Sequence, residues 1–101
     1  MNEYVLGSEA EIDLDEIWEY IAHDSIDAAD RWMGKLFDAF DAIARNPGIG
    51  HKREDLTAYP ALFWPVGAYL IIYRVQTERV EIVAVTQGAK DIPSFLRRRA
   101  Q

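Results

Sequence analysis

The chain has 101 residues, half of them hydrophobic, which fits one compact domain over residues 1–101. It contains no cysteine, which excludes disulfides and thiolate metal sites and agrees with a reducing cytoplasm. The net charge of −6 argues against a protein whose whole surface binds nucleic acid, and no apolar run approaches the roughly 18 to 20 residues that cross a bilayer. We therefore expect a cytoplasmic protein without a membrane partner or sequence-specific nucleic-acid binding.

The first predicted elements are a short strand and an acidic helix. Asn2 to Leu6 alternates in character and predicts the strand, and Ser8-Glu9-Ala10-Glu11 has the spacing of a capping box, which predicts a helix beginning at Ser8. Apolar residues follow one helical stripe: Ala10, Leu14, Ile17, Trp18 and Ile21. The acids fall outside that stripe, on a face that we expect to be solvated: Glu9, Glu11, Asp13, Asp15, Glu16 and Glu19.

A second, longer helix follows a tight break at Asp24-Ser25-Ile26-Asp27. Its apolar residues repeat at helical spacing over four turns: Ala29, Trp32, Met33, Leu36, Phe37, Phe40, Ile43 and Ala44. Asn46-Pro47-Gly48 is a stop signal, because proline disfavours a helical conformation at the residue before it. The short link between the two helices predicts an antiparallel helix hairpin.

The second half of the chain predicts strands. After a polar loop from Ile49 to Ala61, we expect a short strand at Leu62–Pro65 and then two long strands, 69–75 and 80–87, joined by the four residues 76–79. These three strands in series make a meander. The predicted fold is therefore α+β, with an N-terminal strand and a two-helix hairpin packed on an antiparallel sheet.

Both faces of the predicted sheet are apolar. In the strand 69–75, Tyr69, Ile71 and Tyr73 alternate with Leu70 and Ile72. In the next strand the alternation predicts one face with Val80, Ile82 and Ala84 and the other with Val83 and Val85. A sheet with one solvated face would alternate apolar with polar residues, so we expect the second face to be covered. The stretch 91–97 could form a short helix, capped by Asp91, that covers part of it, and a partner protein is the simplest cover for the rest.

Six segments, in this order, resemble the RelE/ParE toxins of bacterial toxin-antitoxin systems, and the ParE branch fits better. They are Ser8-Glu9-Ala10, residues 13–21, Asp27-Ala28-Ala29-Asp30-Arg31, Asn46-Pro47-Gly48-Ile49-Gly50, residues 65–75 and Gly88-Ala89-Lys90-Asp91. The resemblance implies the fold predicted above, neutralisation by a cognate antitoxin and, for ParE members, poisoning of DNA gyrase by binding. It implies no cofactor and no catalytic residue.

Two alternatives stay open. The RelE branch cuts messenger RNA on the ribosome, and here Arg53, Arg74 and Lys90 would stabilise the phosphate. Against it, the chain has Gln87 where such sequences usually have His, Lys90 where they have Arg, and Leu62 where a basic residue is common. The other alternative is an inactive module that still binds an antitoxin.

The candidate contact residues come from the charge distribution. Residues 1–45 carry twelve acids and three bases, net −9, and residues 46–101 carry five acids and eight bases, net +3. A surface that binds an anionic partner should therefore lie on the second half. The charged candidates for target or antitoxin contact are Lys52, Arg53, Arg74, Lys90, Arg97 and Arg98. Trp64 is added as the aromatic residue that we expect to contact a partner.

Each candidate also has a structural interpretation. Arg74 could tie down the C-terminal loop through backbone carbonyls and Asp91. The charge runs 51–53 and 97–99 could be ordinary solvated surface. Glu16, Glu19 and His23 share a helical face, but we do not expect a metal there, since the neighbouring helix offers no matching ligands.

Overall fold

A computed structural model describes residues 3–88 and 91–99. The elements in chain order are β1 (Tyr4–Leu6), α1 (Ser8–Ala22), α2 (Ile26–Arg45), a 3-10 turn (Pro47–Ile49), β2 (His51–Lys52), β3 (Leu62–Val66), β4 (Tyr69–Val75), β5 (Val80–Gln87) and α3 (Ile92–Arg99). None of the described helices is long and apolar enough to cross a membrane. The predicted α+β fold, with its N-terminal strand, helix hairpin and meander β3–β5, is confirmed.

The sheet has the strand order β1-β5-β4-β3-β2 and is mixed. The meander pairs are antiparallel, as predicted, but β1 runs parallel to β5, with Tyr4 opposite Val80 and Leu6 opposite Ile82. This parallel pair follows from the connection, since the helix hairpin and meander return the chain to the first strand in the same direction. The short strand β2 lies within the predicted polar loop, and two polar residues were too few to predict it.

The two helices begin with different caps. The capping box predicted at Ser8 is wrong: Ser8 is the first helical residue, and Gly7 occupies the N-cap without a side-chain bond. The backbone N–H of Gly7 donates to the carbonyl of Ile82 at 2.9 Å, which ties the start of α1 to the sheet. Ser25 caps α2 by accepting from the Ala28 N–H at 3.1 Å. Helix α2 ends at Arg45, before Asn46-Pro47, as predicted.

The helix hairpin packs on one face of the sheet and forms the larger core. Its buried members include Leu14 from α1, Leu36 and Phe40 from α2, and Ile71 and Tyr73 from β4. Tyr73 also fixes the chain after α2: its hydroxyl donates to the Pro47 carbonyl at 2.7 Å and accepts from the Gly50 N–H at 2.8 Å. A buried phenol with both bonds made costs little in desolvation, so the turn and the core stabilise each other.

A β-bulge in β5 changes which side chains face the helices. Ile72 pairs with Ala84 and Tyr73 pairs with Ile82, so Val83 is an extra residue without a partner in β4. The alternation predicted that Ile82 and Ala84 share a face. That prediction is wrong, because the bulge moves Ala84 to the second face while Ile82 stays against the helices.

Helix α3 covers part of the second sheet face. Its Ile92, Phe95 and Leu96 are buried against Phe63 and Ile72, in a core separate from the one beneath α1 and α2. Asp91 precedes the helix and caps it, since its carboxylate accepts from both the N–H and the hydroxyl of Ser94. The predicted cap and the predicted short helix over the sheet are confirmed.

Candidate functional site

The candidate site is a groove on the second sheet face, beside α3. It has a volume of about 290 Å³ and an apolar floor. We call it the α3 groove; its lining residues are Thr57, Tyr59, Pro60, Ala61, Ile72, Arg74, Glu81, Val83, Leu96 and Arg99. Strands β4 and β5 supply the floor, and the loop 57–61 and helix α3 supply the walls.

The groove exists because α3 is too short to cover the sheet. Its three buried anchors pack at one side, and Val83 remains half-buried on the floor. At the rim, the Tyr59 side chain is 61% exposed. An apolar floor and an exposed aromatic rim are typical of a surface that binds another polypeptide.

Arg74 lies at the end of this groove and pairs across the strands. It is opposite Glu81 in the β4–β5 register, and its guanidinium forms a hydrogen-bonded ion pair with the Glu81 carboxylate. Gln76 donates to the same carboxylate at 3.2 Å. The structural interpretation that joined Arg74 to Asp91 is therefore wrong, since Asp91 serves α3 instead. The Arg74 side chain is 55% exposed, so its charge remains accessible from the groove.

The loop after β2 holds Arg53 in an internal ion pair. The Arg53 guanidinium donates to both oxygens of Asp55, at 3.0 and 2.8 Å. This hydrogen bond and the opposite charge raise the pKa of Arg53 and lower the pKa of Asp55. Both residues are exposed, and so is Lys52. Arg53 is thus oriented by its own loop, whereas Lys52 has no salt bridge among the described residues.

The remaining candidates fall in three places. Arg97 and Arg98 are exposed on α3, and Arg97 faces the loop 54–59 across a hollow that adjoins the α3 groove. Trp64 lies away from them: it is half-buried, packs on the helix-side core and stacks with His51 at a ring separation of 6.1 Å. Lys90 lies outside the described residues. The structure therefore brings Arg74 and Arg97 to the margins of one surface and does not bring Trp64 there.

A buried ion pair between α1 and α3 was missed. Asp13 is only 5% exposed and accepts from the Val85 N–H at 3.0 Å. It also forms an ion pair with Arg99, which reaches Glu9 at 3.1 Å. Partial burial acts to lower the pKa of Arg99, but Asp13 and Glu9 outweigh that effect and raise it. The pair fastens the end of α3 to α1 and to β5.

Two expectations from the sequence are corrected by this pair. Asp13 does not lie on the solvated face, and Arg99 is not part of a solvated terminal run. A signal was present, because Asp13 stands three residues after Ala10 and four before Ile17, within reach of the apolar stripe. Its partner stands 86 residues away, and nothing local indicated Arg99.

The described residues offer no group of three or more His, Asp or Glu side chains placed to hold a metal ion. The basic side chains that a phosphate would need are engaged at Arg53 and Arg74 by carboxylates. The α3 groove can bind an apolar chain that carries acids, since Arg74 lines the groove and Arg97 lines the hollow that adjoins it.

Comparison with known proteins gives a consistent result. The family described as "ParE toxin of type II toxin-antitoxin system, parDE" matches residues 4–92. Toxin ParE1 of Mycobacterium tuberculosis is 30% identical over 93 residues, which cover 88% of this chain and 92% of that protein. Putative toxin Y4kP of Sinorhizobium fredii is 32% identical over 83 residues, covering 82% and 84%.

Among solved structures, the chain resembles one described as "Chromosomal ParDE TA system from P. aeruginosa". The TM-score is 0.72 with 16% sequence identity, and the match covers 86% of this chain and 96% of the other. At this identity the likeness concerns the fold alone.

Proposed function

The chain belongs to the ParE toxin family of type II toxin-antitoxin systems, and from this premise we propose that it inhibits DNA gyrase in the cytoplasm by binding rather than by catalysis. The observation that favours binding over catalysis is that two arginines are already held in ion pairs. Arg53 and Arg74, which the ribonuclease alternative needs for phosphate, are ion-paired with Asp55 and Glu81. An arginine held by a carboxylate is a poor stabiliser of a second developing negative charge.

The inhibition of gyrase would use the exposed basic side chains of the second half of the chain. Arg97 and Arg98 project from α3 and Lys52 from β2, all exposed, and they suit an acidic protein surface or the DNA that gyrase holds. In this mechanism the chain would stabilise gyrase on cleaved DNA and leave breaks. No group on the chain needs to exchange a proton for this to happen.

The antitoxin would occupy the α3 groove. We propose that it supplies a segment that combines apolar anchors with acids and orders as it binds. The apolar anchors would fill the floor at Ile72 and Val83, and the acids would approach Arg74 and Arg97. Because Arg74 already has a partner, an antitoxin acid would either join the Arg74–Glu81 pair or displace Glu81 from it.

The groove assignment is tested with two tyrosines of similar exposure. Tyr59 is 61% exposed at the rim of the α3 groove, and Tyr20 is 71% exposed on α1. We expect Tyr59→Ala to weaken binding of the antitoxin encoded beside the toxin gene about tenfold, or more if Tyr59 is an anchor. Tyr20→Ala is the matched control. Equal effects of the two substitutions would place the antitoxin elsewhere.

The function itself is tested in cells that express the chain. Gyrase inhibition predicts growth arrest, relaxation of a reporter plasmid and induction of the response to DNA breaks, with messenger RNA intact. Growth arrest with cuts in ribosome-bound messenger RNA would instead establish the ribonuclease alternative. Unimpaired growth at high expression of folded protein would establish the inactive antitoxin-binding module.

A further inference from the structure

A second groove lies between the two long helices, on the edge of the fold beside β1, and we propose that it docks a basic amphipathic helix of a partner protein. This outer helix groove has a volume of about 380 Å³. Its apolar part comes from Leu6, Leu14, Trp18, Met33 and Phe37. The docking site is argued from this chain alone; assigning the helix to the antitoxin would rest on the proposed function.

The apolar part of the outer helix groove continues along α2. Phe37 is 37% exposed, and Met33 stands four residues before it on the same stripe. Ile26, 60% exposed, stands seven residues before Met33 and so lies two turns further along that stripe. From Ile26 to Phe37 the stripe spans about 16 Å, the length of three helical turns. Its straight, elongated form suits a helix laid alongside α2.

Gly34 gives such a helix room to approach. It lies in the interior of α2, next to Met33, where glycine is less favourable than any ordinary residue except proline. A Cβ added at Gly34 would meet no atom of residues 3–88 and 91–99 within 4 Å, so no contact with the described part of the chain requires glycine there. The absence of a side chain leaves the surface beside the stripe low enough for close packing of a partner.

The acidic residues around the outer helix groove favour a partner helix that carries positive charge. Glu11 and Asp15 line the groove, and Asp30 stands at it, accepting from the Trp18 indole N–H at 2.9 Å. Residues 8–45 carry eleven acids against three bases, net −8. An acidic segment would be repelled from this surface, whereas Lys and Arg beside apolar anchors would be attracted to it. The outer helix groove and the α3 groove therefore bind segments of opposite charge.

A second copy of this chain does not fit the requirement. Helix α3 carries arginines, but its apolar residues Ile92, Phe95 and Leu96 are buried against its own sheet. Helices α1 and α2 of another copy bring the same negative charge. The occupant is therefore a helix from a different protein.

The probes are two capped synthetic helices with identical leucines on one face and either lysines or glutamates elsewhere. We expect the lysine helix to bind the full chain, more weakly at high salt, and the glutamate helix not to bind. The indole N–H signals in an NMR spectrum report the location. Trp18 lines the groove, so its signal should shift, while that of Trp64, which lies in β3 outside the groove and stacks with His51, should not.

Matched variants separate the groove from general attraction to an acidic surface. Glu11→Lys with Asp15→Lys should weaken binding of the lysine helix about tenfold. Glu16→Lys with Glu19→Lys makes the same charge change around a different hollow, beside His23, and should weaken binding less than about threefold. Gly34→Gln keeps a good helix former and should weaken binding by filling the space.

Each result decides the proposal. The proposal is supported if the Glu11→Lys/Asp15→Lys variant and the Gly34→Gln variant bind the lysine helix more weakly, the Glu16→Lys/Glu19→Lys variant does not, and the Trp18 indole signal shifts. Equal losses in both acidic pairs, binding untouched by Gly34→Gln, or no binding by the lysine helix would overturn it. Because Gly34→Gln favours the helical state, its loss of binding could not be attributed to unfolding.

Discussion

Removing the buried carboxylate of Asp13 should destabilise the protein more than removing any other acid of α1. Asp13→Ala leaves the Val85 N–H without its acceptor and removes the buried carboxylate from Arg99, which keeps its ion pair with the half-exposed Glu9 and its contact with the Phe95 ring. An unsatisfied buried donor costs about 1–3 kcal/mol, and breaking a buried ion pair costs up to about 5 kcal/mol. The Arg99 side chain is 22% exposed and can regain water, so we expect about 2–4 kcal/mol in total.

The assay is urea unfolding at neutral pH, with the free energy of unfolding obtained by linear extrapolation. Asp13→Asn should lose about half as much as Asp13→Ala, because an amide oxygen can still accept from the Val85 N–H. Asp15→Ala, an exposed acid two residues along the same helix, is the control and should stay within about 0.5 kcal/mol. In native-state hydrogen exchange, the Asp13 variants should lose protection at Phe95 and Leu96 before the β4–β5 ladder opens.

A double-mutant cycle isolates the ion pair. Asp13→Ala and Arg99→Ala together should cost less than the sum of the single changes by about 1–2 kcal/mol, since each single change removes the same interaction. Additive effects, or an Asp13→Ala protein within about 0.5 kcal/mol of the parent, would refute the reasoning that this pair fastens α3.

Three further predictions concern stability. Gly50→Ala should cost about 2 kcal/mol in urea unfolding, because its Cβ would stand 2.5 Å from the Tyr73 hydroxyl, whereas Gly48→Ala, with 3.9 Å of room, should be near neutral. Burial raises the pKa of Tyr73 above its ordinary value of 10.0, so the unfolded chain loses this proton first. The contribution of the protonated Tyr73 hydroxyl to the free energy of unfolding should therefore be fully present below about pH 10 and be lost as the pH rises further. The midpoint of urea unfolding at each pH measures this loss. Arg74→Ala should cost only about 0.5 kcal/mol, since its pair with Glu81 is half exposed, and a loss above about 2 kcal/mol would contradict this.

The spacing of apolar residues was sufficient to predict the type of the long helices and strands. The helical spacing in α1 and α2 and the β-branched runs of β4 and β5 predicted their type, and Asn46-Pro47 predicted where α2 ends. In each element the prediction rests on several apolar residues at regular spacing, so one residue that departs from the pattern does not change the predicted type.

The features that sequence reasoning missed depend on single long-range contacts. The bulge at Val83 replaces one apolar residue by another, so the alternation predicts the wrong face for Ala84 without any visible break. In the sequence, Asp13 cannot be distinguished from the solvated acids of α1, because its two partners, Arg99 and the Val85 N–H, are distant in the chain. The partner predicted for Arg74 was also wrong, although Glu81 follows from the four-residue turn 76–79, which places Val75 opposite Val80 and Arg74 opposite Glu81.

The most direct measurement of the central claim is made with purified gyrase, supercoiled plasmid and this chain, with and without ATP. We predict loss of supercoiling activity together with linear DNA that is trapped when detergent is added, and no trapped product when gyrase is omitted. Full supercoiling and no linear product at excess folded protein would contradict gyrase poisoning and leave ribosome-dependent RNA cleavage as the next activity to measure.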